Sequence, residues 1–192
     1  MQEKSNNEKS QKFLNEIKKI LTLLPRWVKV AFAARCARRL LPLYTMTWSE
    51  SVPREELSRN VNNLEKFISI AETSAAKTTY ASDVPQTKWR AYVNPMIVEA
   101  LPAFKAIEAA YIADGNVSDY NENIDATILQ QFNMCNGNAV PYDMEEARKA
   151  ILSDIKFLFR ESTIHSWTDE TPVHKEIFGG MWPDGEPEDW QS

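Results

Sequence analysis

Apolar residues recur at spacings of three and four along most of this chain, the period of helices with one buried face. Phe13, Ile17, Ile20, Leu21 and Leu24 predict a first helix over about 8–23, after a polar stretch at 1–7. Pro25, suited to the opening turn of a helix, introduces "RWVKVAFAARCARRLLPLY". Trp27, Val30, Phe32, Leu40 and Leu41 supply bulk there, while Ala33, Ala34 and Ala37 supply small surfaces. A helix apolar around most of its circumference belongs at the centre of a fold. A third helix follows Pro53, with Leu57, Val61, Leu64, Phe67 or Ile68, and Ala71 on its inner face.

Asp83 and Gln86 then have the spacing of a capping box, ahead of a punctuated helical stretch over 88–113. Within it Asn94–Pro95 reads as a cap and restart, and Pro102 as a kink, because proline removes one ladder hydrogen bond. Ile97, Leu101, Phe104, Ile107 and Tyr111 keep the buried face across that kink, and Gly115 terminates the run. Ser118 or Asp119 begins the next helix, with Ile124, Ile128 and Phe132 inward and Gly137 past its end. Asp143 and Glu146 open a last helix that runs through Ala147, Ile151, Ile155, Leu158 and Phe159 to about Ser162.

These elements predict an all-α fold: a single-domain bundle of six to seven helices over 8–163, with an irregular arm over 164–192 packing on it. The length of 192 residues suits one well-buried core, and only 5 glycines argue against a turn-rich β fold. The opening "MQEKSNNEKSQKF" lacks the apolar centre of a signal peptide, and no apolar run approaches a membrane span. Two cysteines, Cys36 and Cys135, make no CxxC pair and no disulfide framework. A reduced, cytoplasmic protein away from membranes is the expectation.

The arm is unusual in composition. Its last thirteen residues, "GMWPDGEPEDWQS", carry two tryptophans, two prolines and four acids. "WPDG" has the residues of a tight turn, and a turned segment does not bury its own aromatics. Trp182 and Trp190 are therefore expected to insert into the helical body. Charge follows the same division: 1–45 carries +7, 161–192 carries −7, and the remainder −5. Arg35, Arg38 and Arg39 form one arc on the second helix and are candidate partners for Asp184, Glu186, Glu188 or Asp189. On this reading the tryptophans hold the arm and the charges set its register. The alternative is a free arm whose Asp184, Glu186, Glu188, Asp189 and Trp190 bind a partner.

Chemistry is sparse. The chain has no Gly-rich phosphate cradle and no HExxH, GxSxG or CxxC pattern, so no catalytic residue, cofactor or metal is assigned. His165 and His174, with Asp169 and Glu170 between them, fit no common metal-ligand spacing. Cys36 among alanines reads as an apolar filler rather than a nucleophile, with Cys135 the better redox candidate of the two. The acid pairs Glu55–Glu56 and Glu145–Glu146 sit where helix dipoles favour them. Glu99 and Glu108 are the acids best placed to line an interior cavity. The arginine arc is small and lacks interleaved aromatics, which argues against nucleic acid as a ligand.

"VAFAARCARRLLPLYTM", Val30 to Met46, resembles a segment of two groups of small helical bacterial proteins. In an uncharacterised cytosolic family the shared positions are Phe32, Cys36, Arg39, Pro42 and Tyr44. In a predicted immunity-protein family of polymorphic toxin systems they are Ala33, Cys36, Ala37, Arg39 and Pro42, with Arg38 where that family usually has Glu. The ending "WTDETP…FGGMWPDGEPEDW" is similar to endings of uncharacterised bacterial proteins. The resemblance implies a bacterial, all-helical, non-enzymatic protein whose partner is another protein, a toxin in the immunity case. Two further readings stand beside it: an enzyme with a site between helices, around Glu99, Glu108 or Cys135, and a nucleic-acid binder using the basic N-terminal third.

Overall fold

A computed structural model describes residues 2–82, 98–115, 123–132 and 144–182, together with Pro187 and Trp190. The fold is all-α, with six α-helices and no strand among the described residues. They are α1 (Gln2–Leu21), α2 (Arg26–Trp48), α3 (Arg54–Lys77), α4 (Leu101–Ala113), α5 (Ile124–Gln130) and α6 (Glu145–Ile164). The described residues also include the 3₁₀ turns Val98–Ala100 and Lys175–Phe178. No described helix is long and apolar enough to cross a membrane.

The centre is α2. Its buried residues run right round the cylinder, from Trp27, Val28 and Val30 to Leu40, Leu43 and Tyr44, and it packs against α3, α4, α5 and α6. Alanines 31, 33, 34 and 37 are all buried, letting neighbouring helices approach without a void. The helix continues through Pro42, although that ring removes one ladder bond. α1 lies outside this layer and packs Phe13, Ile17 and Leu21 toward α5 and α6, with Phe13 edge-on to Phe132 at 5.6 Å.

Several boundaries differ from the sequence expectation. α1 begins at Gln2, inside the stretch read as a tail, because its Glu, Lys and Gln residues favour a solvated helix even without an apolar face. Pro102 does not kink a helix but occupies the first turn of α4, where its missing N–H has no intrahelical partner to lose. Phe104 and Ile107 are buried, while Leu101 and Tyr111 are half-buried. α5 starts at Asn123, whose side chain accepts from the Asp125 backbone N–H at 2.8 Å. Ser118 and Asp119, the expected start, lie outside the described residues. Phe159 is 37% exposed, standing about 100° round the wheel from the buried Leu158. α6 has Met144 before it with no side-chain cap, and Glu145 and Glu146 in its first turn. The expected features at Asp83, Gln86, Asn94, Pro95, Ile97, Cys135, Gly137 and Asp143 also lie outside the described residues.

α6 ends in a Schellman motif. The Trp167 N–H donates to Ser162 O at 2.9 Å and the Ser166 N–H to Thr163 O at 3.4 Å. Ser166 holds the left-handed conformation this requires, with φ +50°. The reversal turns the chain back along the bundle and starts the C-terminal arm.

Candidate functional site: a buried arginine–aspartate centre beneath the arm

The arm is stitched to the bundle at successive points. Asp169 Oδ1 accepts from the Arg26 backbone N–H at 2.7 Å, so it caps α2 from 143 residues away. Pro25 has no side chain able to do this. Arg26 returns the contact through Nη2 to Glu170 Oε1 at 2.6 Å. The Val173 N–H then donates to Ala75 O at 3.0 Å, satisfying a carbonyl in the last turn of α3.

Beyond the 3₁₀ turn, Gly179 (φ +67°) redirects the backbone over the middle of α2. There Arg35 and Arg39, one turn apart, reach the single carboxylate of Asp154 on α6. Arg39 Nη1 lies 2.5 Å and Arg35 Nε 3.4 Å from Asp154 Oδ2. The Arg39 side chain has no solvent exposure at all. Two buried cations facing one anion leave an excess of positive charge, which is costly in a low-dielectric interior. The arm answers that excess. Arg35 Nη2 donates to Gly180 O, and Arg39 donates to Met181 O through Nη2 at 2.5 Å and Nε at 3.2 Å. Aromatic faces add to the carbonyl dipoles: Phe178 lies 5.2 Å from the Arg35 guanidinium and Trp182 5.2 Å from that of Arg39. Burial, the largest influence, pushes Arg35 down from its ordinary value, against the attraction of Asp154 and with the repulsion of Arg39.

Trp182 and Trp190 meet edge to face at 5.4 Å. Trp190 is only 2% exposed, so its ring is packed within the chain. The four arm acids, Asp184, Glu186, Glu188 and Asp189, lie outside the described residues. Arg38 turns away from this centre to grip Glu72 on α3 in a two-pronged pair, Nε–Oε1 2.7 Å and Nη2–Oε2 2.9 Å. That hydrogen bond raises Arg38 above its ordinary value.

The other sequence candidates are dispersed. Glu108 pairs with Lys105 at 2.6 Å, and Glu99 Oε2 accepts from Trp48 Nε1 at 3.4 Å. His165 and His174 are exposed, and Asp169 and Glu170 are engaged by Arg26. Among the described residues no cluster of three or more His, Cys, Asp or Glu side chains is placed to hold a metal. Cys36 is fully buried. Sequence reasoning missed Asp154 and Glu72, the two acids that complete the arginine arc. Asp154 did carry a signal: it stands between Ile151 and Ile155 on the apolar face of α6, where an unpaired carboxylate is rare.

Comparison with family models, with curated proteins and with solved structures finds no match to this chain.

Proposed function

We propose that this chain is a non-enzymatic bacterial protein-binding protein of immunity type, which sequesters a toxin in the cytoplasm. The observation that carries the reading is the internal use of the basic groups of α2. Arg35 and Arg39 are committed to Asp154 and the arm, Arg38 to Glu72, Arg26 to Asp169 and Glu170, and Lys29 to Asp125 at 2.7 Å. A basic face for nucleic acid is thereby removed from the second helix. A chain of net charge −5 then carries an excess of acidic groups overall, which favours steering toward a basic protein. The resemblance at Ala33, Cys36, Ala37, Arg39 and Pro42 supports the same class. These positions lie on the central helix, so their likeness concerns the scaffold, and the partner is met elsewhere on the surface.

Co-expression provides the test. Toxin domains encoded beside the gene are expressed alone and together with this chain. The proposal expects growth to be restored and a stable complex to co-purify, with an association rate that falls as salt is raised. Failure to protect against, and to bind, every neighbouring toxin product would overturn it.

A further inference from the structure

A pocket of about 210 Å³ opens between α2, α3 and the arm, beside the buried arginine centre, with which it shares Arg35. Its apolar part is Ala31, Val173 and the Phe178 ring; its polar part is Arg35, Arg38, Glu72 and Lys175. The charges around it are unequal. Glu72 is held in both prongs of Arg38, and Lys175 Nζ stays 3.9 Å from the same carboxylate, beyond hydrogen-bond distance. Lys175 is thus a loose ion-pair partner of Glu72 with hydrogen-bond capacity left over, and Arg38 holds Glu72 through Nε and Nη2 alone. Arg35 closes the inner end, sharing Asp154 with Arg39. Glu65 adds a more distant negative field on Arg38. Three cations border the pocket and one carboxylate lines it, in a chain that is acidic as a whole.

We propose that this pocket binds a small organic carboxylate, its anionic end at Lys175 and Arg38 and its apolar body against Phe178, Val173 and Ala31. The volume falls below the ~300–1,000 Å³ of sites that take drug-sized ligands, so the guest is of single-ring or short branched-chain size. A carboxylate fits better than a bare inorganic anion because half of the lining is apolar and offers such an anion no hydrogen bonds. The ligand bridges the arm to α2 and α3, so its binding also tightens the arm. This inference stands independently of the toxin-binding proposal.

Benzoate is the probe, titrated into the full chain at constant ionic strength while the backbone amides of Val173 and Lys175 are followed by NMR. Saturable binding with shifts at both amides is the expected result, with uncharged benzamide failing to bind and inorganic phosphate binding more weakly than benzoate. Lys175→Gln removes one charge-assisted contact and weakens benzoate roughly tenfold. Lys175 is 59% exposed, so a melting temperature equal to that of the unsubstituted chain separates lost binding from lost fold. Glu72→Gln acts in the opposite direction, tightening benzoate by removing the competing carboxylate. Absence of saturation, equal binding of benzamide, or benzoate affinity unchanged by Lys175→Gln overturns the proposal. Phosphate binding as tightly as benzoate overturns the organic part of it.

Discussion

Two guanidiniums against one carboxylate make Asp154 a pivotal side chain of the fold. It is the only anion within reach of Arg35 and Arg39 among the described residues, and all three side chains are buried. Replacing Asp154 with Asn leaves two desolvated cations without a counter-charge. The expected loss is about 3–5 kcal/mol of unfolding free energy in urea titration. Glu146→Gln, which removes an exposed pair with Lys149, is expected to cost well under ~1 kcal/mol in the same assay. Equal effects from the two substitutions would contradict the desolvation account. Tyr44 supplies a pH dependence. Burial, above all, raises its phenol above the ordinary value, opposed by the hydrogen bond its oxygen accepts from Asn60 Nδ2 at 3.1 Å. The folded chain therefore holds that proton more tightly than the unfolded chain. Its contribution is complete below the unfolded value near 10 and is lost as pH rises through the higher folded value. Alkaline titration of unfolding should show a steeper loss for the native chain than for Tyr44→Phe, and parallel curves would refute this.

At the scale of elements, the junction between α6 and the arm rests on one strained residue. Ser166 occupies the left-handed position of the Schellman motif, which glycine fills without steric cost. It is exposed, so Ser166→Gly loses no packing. A gain of up to about 1 kcal/mol is expected from calorimetry, and a loss would show that Ser166 is held by more than backbone geometry. The helices themselves were legible where the pattern was dense. Trp27, Val30, Phe32 and the alanines around them mark α2 as central because few solvated residues interrupt them. Legibility failed where one local group decided. Asn123 begins α5 because its own side chain reaches the Asp125 N–H, and a cap of that kind looks the same in sequence as Ser118 or Asp119. Pro102 has two meanings, kink or opening residue, and only the course of the chain before it separates them. The arginine centre was half legible. The basic arc is plain in the sequence, but the acceptors at Gly180 and Met181 are backbone carbonyls, which leave no signature in side-chain pattern.

Over the whole molecule, the arm is part of the fold rather than an appendage. It caps α2 through Asp169, bonds α3 through Val173, hydrogen-bonds the arginines of the centre through the Gly180 and Met181 carbonyls, and buries Trp190. The opposed charges of the two ends, +7 and −7, bring the acidic segment toward the basic third without having to supply the close contacts. Deleting residues from Gly180 onward tests this most directly, since it removes both carbonyls together with Trp182 and Trp190 while leaving every described helix intact. A loss of about 3 kcal/mol from the burial alone corresponds to a fall of roughly 6–12 °C in Tm for a chain of this length. The account predicts a fall of at least that size in the isolated protein, accompanied by rapid proteolysis between α6 and the new terminus. An unchanged Tm, with partner binding abolished, would contradict it and make the arm a binding motif instead.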